Sequence, residues 1–330
     1  MNPNTELALS IIESLFPTLS APPNITQKSS LTNQVYHIDY NGQNFIFRVF
    51  SQCFPFLIDR KLENHVVKNL MEINLYPKVY HVDSKIRLES CIPGETLSDS
   101  KIKDPLILTR LLQKLALFHH SFTSSILHPA TKILGLLKER ENLKKDLLSF
   151  GIEMEVKEIF LTVFSEEFQQ KLLNTYKKYL EGGRTSFCHN DLNSSNILFC
   201  EQTQELTILD YEYCGVNPLI FEFANFFNEM ASSYENGFSF NEADYPSQCL
   251  RNFVFKVYFQ SLAKLNGMKE EEETRFCEEM EERLEVGSLF SHYVWMIVAG
   301  FSFDLGLEIN LCEYIKIRFS RIIKIMEKLN

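Results

Sequence analysis

Apolar positions fall roughly a turn apart at Leu7, Ile11 and Leu15, so residues 5–17 read as an amphipathic helix, broken by Pro22-Pro23. The period then drops to two. Val35-Tyr-His-Ile-Asp-Tyr runs into Asn41-Gly42, a type I′ hairpin signal, and Phe45-Ile-Phe-Arg-Val-Phe returns, which predicts strand, turn, strand over residues 25–50. A helix opens at Asp59 and runs through Met71, with Val66, Val67 and Leu70 on one face. Short extended stretches follow at residues 75–81 and 86–95, and Pro93-Gly94 turns the chain away.

Beyond that turn the helical period dominates. Leu108, Leu111, Leu112, Leu115 and Phe118 share one face of a helix over residues 104–120. Residues 132–181 read as charged, leucine-bearing helical scaffold that Gly182-Gly183 ends. Two short apolar runs, Ile197–Phe199 and Leu206–Leu209, flank the polar turn Glu201–Gln204 and predict a second hairpin. Residues 230–247 are a polar loop carrying aromatic residues, and 248–266 a helix. The stretch 269–285 is an acidic, solvated helix face, and residues 286–301 and 309–328 are apolar helices.

Composition narrows the class. With 330 residues, 45% of them apolar, the chain has ample material for a large core. The formal charge, 33 − 43 = −10, gives it no general attraction for nucleic acid or anionic lipid. Eight scattered cysteines form no CxxC pair and read as reduced thiols of a cytoplasmic protein. Glu6 and Glu13 near the start exclude a signal peptide, and the apolar stretch 293–303 is too short to span a bilayer.

The candidate chemistry gathers around the second hairpin. Asp191 stands just before its first run, Asn196 opens that run, and Asp210 closes the second. A hairpin returns the chain to its start, so two carboxylates and an amide are expected to converge, a set of oxygen ligands that suits Mg²⁺. His189-Asn190-Asp191 with Asn196 five residues after Asp191 fits the kinase catalytic-loop pattern H-x-D-x-x-x-x-N, and Asp210 stands where the metal-binding Asp follows a short strand. In that pattern Asp191 takes the proton of a substrate hydroxyl, while Asn196 and Asp210 hold Mg²⁺ against the phosphates of ATP. The protein kinase pattern also supplies a helix glutamate beside the phosphate-binding cation, which makes Glu63 the expected partner of Arg48.

The run from Asp210 to Glu229, DYEYCGVNPLIFEFANFFNE, resembles the signature of the choline/ethanolamine kinase family, IDFEY followed by F-D-I-x-N-H-F. Glu222 replaces the usual Asp and Phe226 the usual His. Elsewhere Ser29–Asn33 stands for G-G-L-S-N, the strand around Arg48 for L-L-R-L/V-Y, residues 86–94 for R-L-E-x-x-I-P-G, and Ser291–Trp295 for S-H-F-x-W. The resemblance implies an α+β, bilobal protein-kinase-like fold. Residues 1–94 would form a small N-lobe with an antiparallel sheet, and residues 95–330 a large, mostly helical C-lobe. It further implies Arg48 and Asn33 at the ATP phosphates, and backbone around Glu89 and Cys91 at adenine. The product would be a phosphorylated choline or ethanolamine, the first step toward phosphatidylcholine or phosphatidylethanolamine, and by analogy the enzyme would be a homodimer.

A quaternary ammonium offers no N–H donor, so an aromatic cage is expected for choline. The resemblance places Tyr234 and Trp295 in it, with Tyr293 left to the core. Val298 occupies the position of a second family Trp, and Ile309 lies near that of another aromatic residue. Thinner walls would relax the preference for choline and leave Glu229 and Glu222 to serve a primary ammonium. Three alternatives stay open at this point: an ethanolamine-preferring enzyme, another small-molecule phosphotransferase of the same fold, and a non-catalytic pseudokinase.

Overall fold

A computed structural model describes residues 2–17, 22–28, 33–51, 56–122, 131–235, 237–303 and 310–329. The chain forms two compact units, one of Met1–Glu95 with Leu198–Glu212, the other of Thr96–Ile197 with Tyr213–Asn330. The expected division near residue 94 is thereby refined, because most of the second hairpin belongs with the N-terminal unit.

The first unit opens with α1 (Pro3–Leu15), capped by the Asn2 side chain on the Asn4 amide, with Pro3 in the first turn where a missing N–H costs nothing. Ala8 and Ile12 bury against Tyr36, Ile38, Phe45 and Phe47. Strands β1 (Asn24–Lys28), β2 (Gln34–Tyr40) and β3 (Gln43–Val49) precede α2 (Arg60–Glu72), and β4 (Val79–Val82) and β5 (Ile86–Ser90) follow it. The antiparallel sheet has the order β1-β2-β3-β5-β4. Asn41 and Gly42 have φ of 59° and 78°, the positive pair that a type I′ turn demands. The turn fixes the register of β2 on β3, and the alternation then sends Phe45 and Phe47 into the core, each stabilising by about 1.5–3 kcal/mol. Arg48 projects to the other face, directly across from Arg87 of β5. Asp59 caps α2 by accepting from the Lys61 and Leu62 amides.

The chain leaves the sheet through β6 (Glu95–Thr96). Helices α3 (Pro105–Ser121), α4 (Lys132–Lys138), α5 (Arg140–Ser149), α6 (Met154–Val163) and α7 (Glu166–Tyr179) lead to β7 (Thr185–Cys188). The hairpin is β8 (Ile197–Cys200) and β9 (Glu205–Ile208), with β8 between β6 and β9. Gly94 is required here. Its φ is +134°, and a Cβ would stand 2.9 Å from the Phe199 carbonyl oxygen.

Next come β10 (Gly215–Pro218), paired with β7, α8 (Leu219–Met230), the short strands β11 (Ser232–Ser233) and β12 (Ser239–Phe240), α9 (Gln248–Asn266), α10 (Glu273–Gly300) and α11 (Leu311–Leu329). From Glu273 onward the acidic stretch and the apolar helix after it are one helix of 28 residues. Its acidic half is more than a solvated face. Glu273 pairs with Lys256 at 3.1 Å, Glu279 with Arg184 at 2.9 Å, and Glu281 with Arg251. The apolar half packs on α8 at Gly287, where a Cβ would stand 2.9 Å from the Ala224 Cβ.

Among the described residues no helix is long and apolar enough to cross a membrane. The cysteines described are free thiols, and Cys53 lies outside those residues.

Candidate active site

Strand β7 delivers the chain to His189 and Asn190, and Asn190 takes φ +69°, a left-handed conformation that Asn tolerates better than most residues. Its side chain holds that turn. Nδ2 donates to the carbonyls of Tyr213 (2.9 Å) and Gly215 (3.2 Å), and Oδ1 accepts from Asn217 Nδ2 at 2.7 Å. From beneath, the fully buried Glu222 of α8 accepts the His189 amide at 2.5 Å and the Asn190 amide at 3.1 Å. His119 lies 3.3 Å from the same carboxylate, and its other ring nitrogen is 2.8 Å from the Tyr258 hydroxyl. Burial, with Glu222 nearby, pushes the Cys188 thiol well up.

Asp191 follows with its carboxylate oriented by two amides. Asn193 Nδ2 donates to Oδ1 at 3.0 Å, and Asn196 Nδ2 donates to Oδ2 at 2.8 Å. Both amides also reach the Asp191 carbonyl, at 3.1 and 2.9 Å. Asn193 in turn caps the short helix Ser194–Asn196 through its Oδ1. Asn196 thus spends its nitrogen on Asp191, and its Oδ1 accepts no hydrogen bond among the described residues.

The first unit carries a different construction. Arg48 Nε donates to Glu89 Oε1 at 2.9 Å, while Glu89 Oε2 accepts from Arg87 at 2.8 Å and from the Tyr76 hydroxyl at 2.9 Å. Glu63 is not the partner of Arg48. It accepts from Arg87 at 2.8 Å and Arg60 at 2.7 Å, because Arg87 stands across from Arg48 on the sheet and reaches Glu63 on α2. Burial alone would lower the Arg48 pKa, but Glu89, Tyr76 and Asp210 outweigh it and keep the guanidinium charged. Its two Nη groups make no hydrogen bond among the described residues.

Asp210 follows β9 with φ +61°. Its Oδ1 is buried with no hydrogen-bond partner among the described residues. Burial pushes the carboxyl up, Arg48 pulls it down, and Glu63 pushes it up again. Glu212, two residues on, is held by Arg60 at 2.9 Å and Asn33 at 3.1 Å.

Asn33 is therefore spent inside the unit, since its Oδ1 also accepts from Ser51 and Arg60, and it fixes the end of its loop instead of facing phosphate. The rest of that loop, Ser29–Thr32, lies outside the described residues. The Glu89 side chain belongs to the ionic network, and the Cys91 amide donates to the Asn44 carbonyl at 2.9 Å, which removes it from an adenine contact.

The second unit also gathers Glu229, Tyr234, Phe238, His292, Tyr314 and Arg318. Glu229 accepts from Arg318 at 2.7 Å and from the Tyr234 hydroxyl at 2.8 Å. The Tyr234 ring is 45% exposed. The Arg318 guanidinium is buried over the rings of Phe238 (4.9 Å) and Tyr314 (4.8 Å). Burial and Arg318 hold His292 well below its usual pKa, so its neutral Nδ1 takes an Arg318 hydrogen bond at 3.1 Å. Trp295 is half-buried, stands edge-on to Tyr213 at 5.2 Å, and donates from Nε1 to Asn225 Oδ1 at 2.7 Å.

Three expectations change here. Glu222 is fully buried under the catalytic loop and cannot meet an ammonium. Glu229 is already engaged by Arg318. Val298 is 7% exposed and packed, so it is no open wall. Tyr293 is buried as expected, its hydroxyl accepting from Gln169, and burial pushes its pKa up to about 12. Ile309 lies outside the described residues.

Arg87, Arg60 and Arg318 were not foreseen. Arg87 carried a signal, a cation within the apolar strand run Ile86–Leu88. So did Arg318, which occupies the apolar stripe of α11 between Ile315 and Ile322.

The family model described as choline/ethanolamine kinase matches residues 25–322. Over 308 residues the chain is 25% identical to a probable choline kinase 2 of Arabidopsis thaliana, covering 90% of this chain and 83% of that protein. Over 318 residues it is 23% identical to a human choline/ethanolamine kinase, covering 92% and 78%. A solved choline kinase from Cryptosporidium parvum superposes with a TM-score of 0.77 over 98% of this chain and 96% of that one, at 22% identity.

Proposed function

The chain belongs to the choline/ethanolamine kinase family, whose members use ATP, and we propose that it phosphorylates the hydroxyl of a small amino alcohol, choline or ethanolamine. The observation that carries this reading is the Asp191 carboxylate, held by Asn193 and Asn196 at the end of a loop anchored by Glu222.

In the transfer, the substrate oxygen forms a bond to the γ-phosphorus, the bond from that phosphorus to the β,γ-bridging oxygen breaks, and ADP leaves. Asp191 accepts the hydroxyl proton. Such a reaction asks the protein mainly for positioning and charge neutralisation. Arg48 offers to phosphate oxygens its two Nη groups, which make no hydrogen bond among the described residues. The residues present fit Mg²⁺, because among the described residues Asp210 Oδ1 is a buried acceptor without a partner and Asn196 Oδ1 accepts no hydrogen bond. Asp210 and Asn196 would each offer the ion an oxygen, and when bound it would neutralise phosphate charge. For the ammonium, Tyr234 and Trp295 supply aromatic faces.

The test is ADP release with Mg-ATP and a panel of choline, ethanolamine and their mono- and dimethyl intermediates. Turnover with at least one amine above an amine-free blank is expected. A rise of kcat/KM with each methyl supports choline as the substrate, and a fall supports ethanolamine. No turnover with any member overturns the reading.

A further inference from the structure

In the proposed reading Arg48 steadies phosphate, and the following inference rests on that role. We propose that Glu89, on the neighbouring strand, is the positioning residue for Arg48, so that the phosphate-binding cation takes its direct partner from the sheet and not from α2. Glu89 is 2% exposed and divides its two oxygens. Oε1 accepts from Arg48 Nε at 2.9 Å. Oε2 is fixed by Arg87 Nε at 2.8 Å and the Tyr76 hydroxyl at 2.9 Å. Arg87 is itself fully buried, and its Nη2 returns to the Tyr76 hydroxyl at 2.9 Å, closing a ring of three side chains under the carboxylate.

The consequence is geometric. A guanidinium held through Nε keeps the N–H bonds of its two Nη groups for other acceptors. Glu89 therefore fixes Arg48 while its Nη groups, which make no hydrogen bond among the described residues, stay available. Arg48 and Glu89 sit on β3 and β5, which pair directly, with Arg48 opposite Arg87 and Ile46 opposite Glu89. Two adjacent strands of one sheet cannot slide past each other without breaking that ladder. A cation held by a helix glutamate loses its partner whenever the helix swings away. Here Glu63, the helix carboxylate, ties α2 to Arg87 of β5, takes a second donor from Arg60 of its own helix, and leaves Arg48 to the sheet.

Binding of a fluorescent ATP analogue, which needs no amine substrate, tests this separately from the proposed reaction. Glu89→Gln is expected to weaken nucleotide binding and raise KM for ATP by about tenfold, the worth of a charge-assisted hydrogen bond, with KM for the amine within about twofold. Tyr76→Phe, a gentler change, is expected to weaken nucleotide binding by about two- to fivefold. In an Arg48→Met background neither change should weaken it further, a coupling that a merely structural role would not produce. Glu63→Gln should lower Tm while nucleotide affinity stays within about threefold. Should Glu89→Gln unfold the protein, Tyr76→Phe still decides. Unchanged affinity in the folded Glu89 and Tyr76 variants overturns the inference. So does a loss in the Arg48→Met background equal to that in the wild type, or an effect of Glu63→Gln as large as that of Glu89→Gln. Nucleotide binding that follows this pattern without turnover of any amine would uphold it and overturn the substrate assignment alone.

Discussion

In the sheet unit a cation, Arg48, is held by the carboxylate Glu89, itself held by Arg87, with Glu63, Arg60 and Glu212 continuing the chain of opposite charges. In the helical unit an anion, Asp191, is oriented by the neutral amides of Asn193 and Asn196, and its loop is anchored through backbone amides on Glu222. The difference follows from what each group has to do. A phosphate-binding arginine must stay charged, and a buried cation stays charged only when carboxylates offset its desolvation. A carboxylate that takes a proton must keep its basicity, so neutral donors that aim it without a full positive charge serve better. Asp210 is an exception within the sheet unit, a buried carboxylate with one oxygen left unpartnered among the described residues. That arrangement costs the folded protein stability unless a cation completes it.

Substitution can break each half of this contrast. The largest effect is expected at Asp191. Asp191→Asn keeps shape and removes the proposed proton acceptor, so kcat should fall by about 10²–10⁴-fold while binding of the ATP analogue is retained. A steady-state assay beside a nucleotide titration checks both.

Asp210→Asn should lower kcat by at least about a hundredfold, because the proposed metal-binding carboxylate is lost. Its stability effect runs the other way. Burial raises the Asp210 pKa in the folded state, so the ionised form carries a penalty at neutral pH that disappears as pH falls through the folded and then the unfolded value. Asn never pays it, and Asn is at ease at φ +61°. The metal-free variant should therefore melt no lower than the metal-free wild type at pH 7, and their difference should shrink toward pH 4. A metal-free variant that melts well below wild type at pH 7 would sink this account.

Glu222→Gln sharpens the contrast from the other side. One amide facing the His189 or Asn190 N–H becomes donor against donor, so the loop should lose about 1–3 kcal/mol of support and kcat about tenfold. Because Glu222 is fully buried beneath the loop, KM for the amine should hold, and a selective rise in that KM would return it to the substrate pocket. The smallest effect is expected at Trp295. Trp295→Phe keeps a ring but loses the donor to Asn225, and KM for a quaternary amine should rise about three- to tenfold with kcat nearly unchanged.

The local elements and their order were legible in the sequence because their signals are local. The Asn41-Gly42 turn, the Asp59 cap, the hairpin around residues 201–204 and the helix at 248–266 each rest on neighbouring residues and reappear in the fold. The spacing of His189, Asp191 and Asn196 likewise predicts the loop that brings Asp191 and Asn196 within 2.8 Å. What tertiary structure alone decided is which distant charge meets which. Arg48 has Glu63 and Glu89 both within reach of argument, and only strand pairing, with Arg87 placed across from Arg48, gives Glu89 to Arg48 and Glu63 to Arg87. Glu222 and Glu229 lie seven residues apart on one helix, yet one anchors backbone amides and the other answers a buried arginine from α11. A carboxylate looks the same in sequence wherever it stands. Its partner is set by packing, since a buried charge takes whichever opposite charge or donor the fold brings to hydrogen-bonding distance.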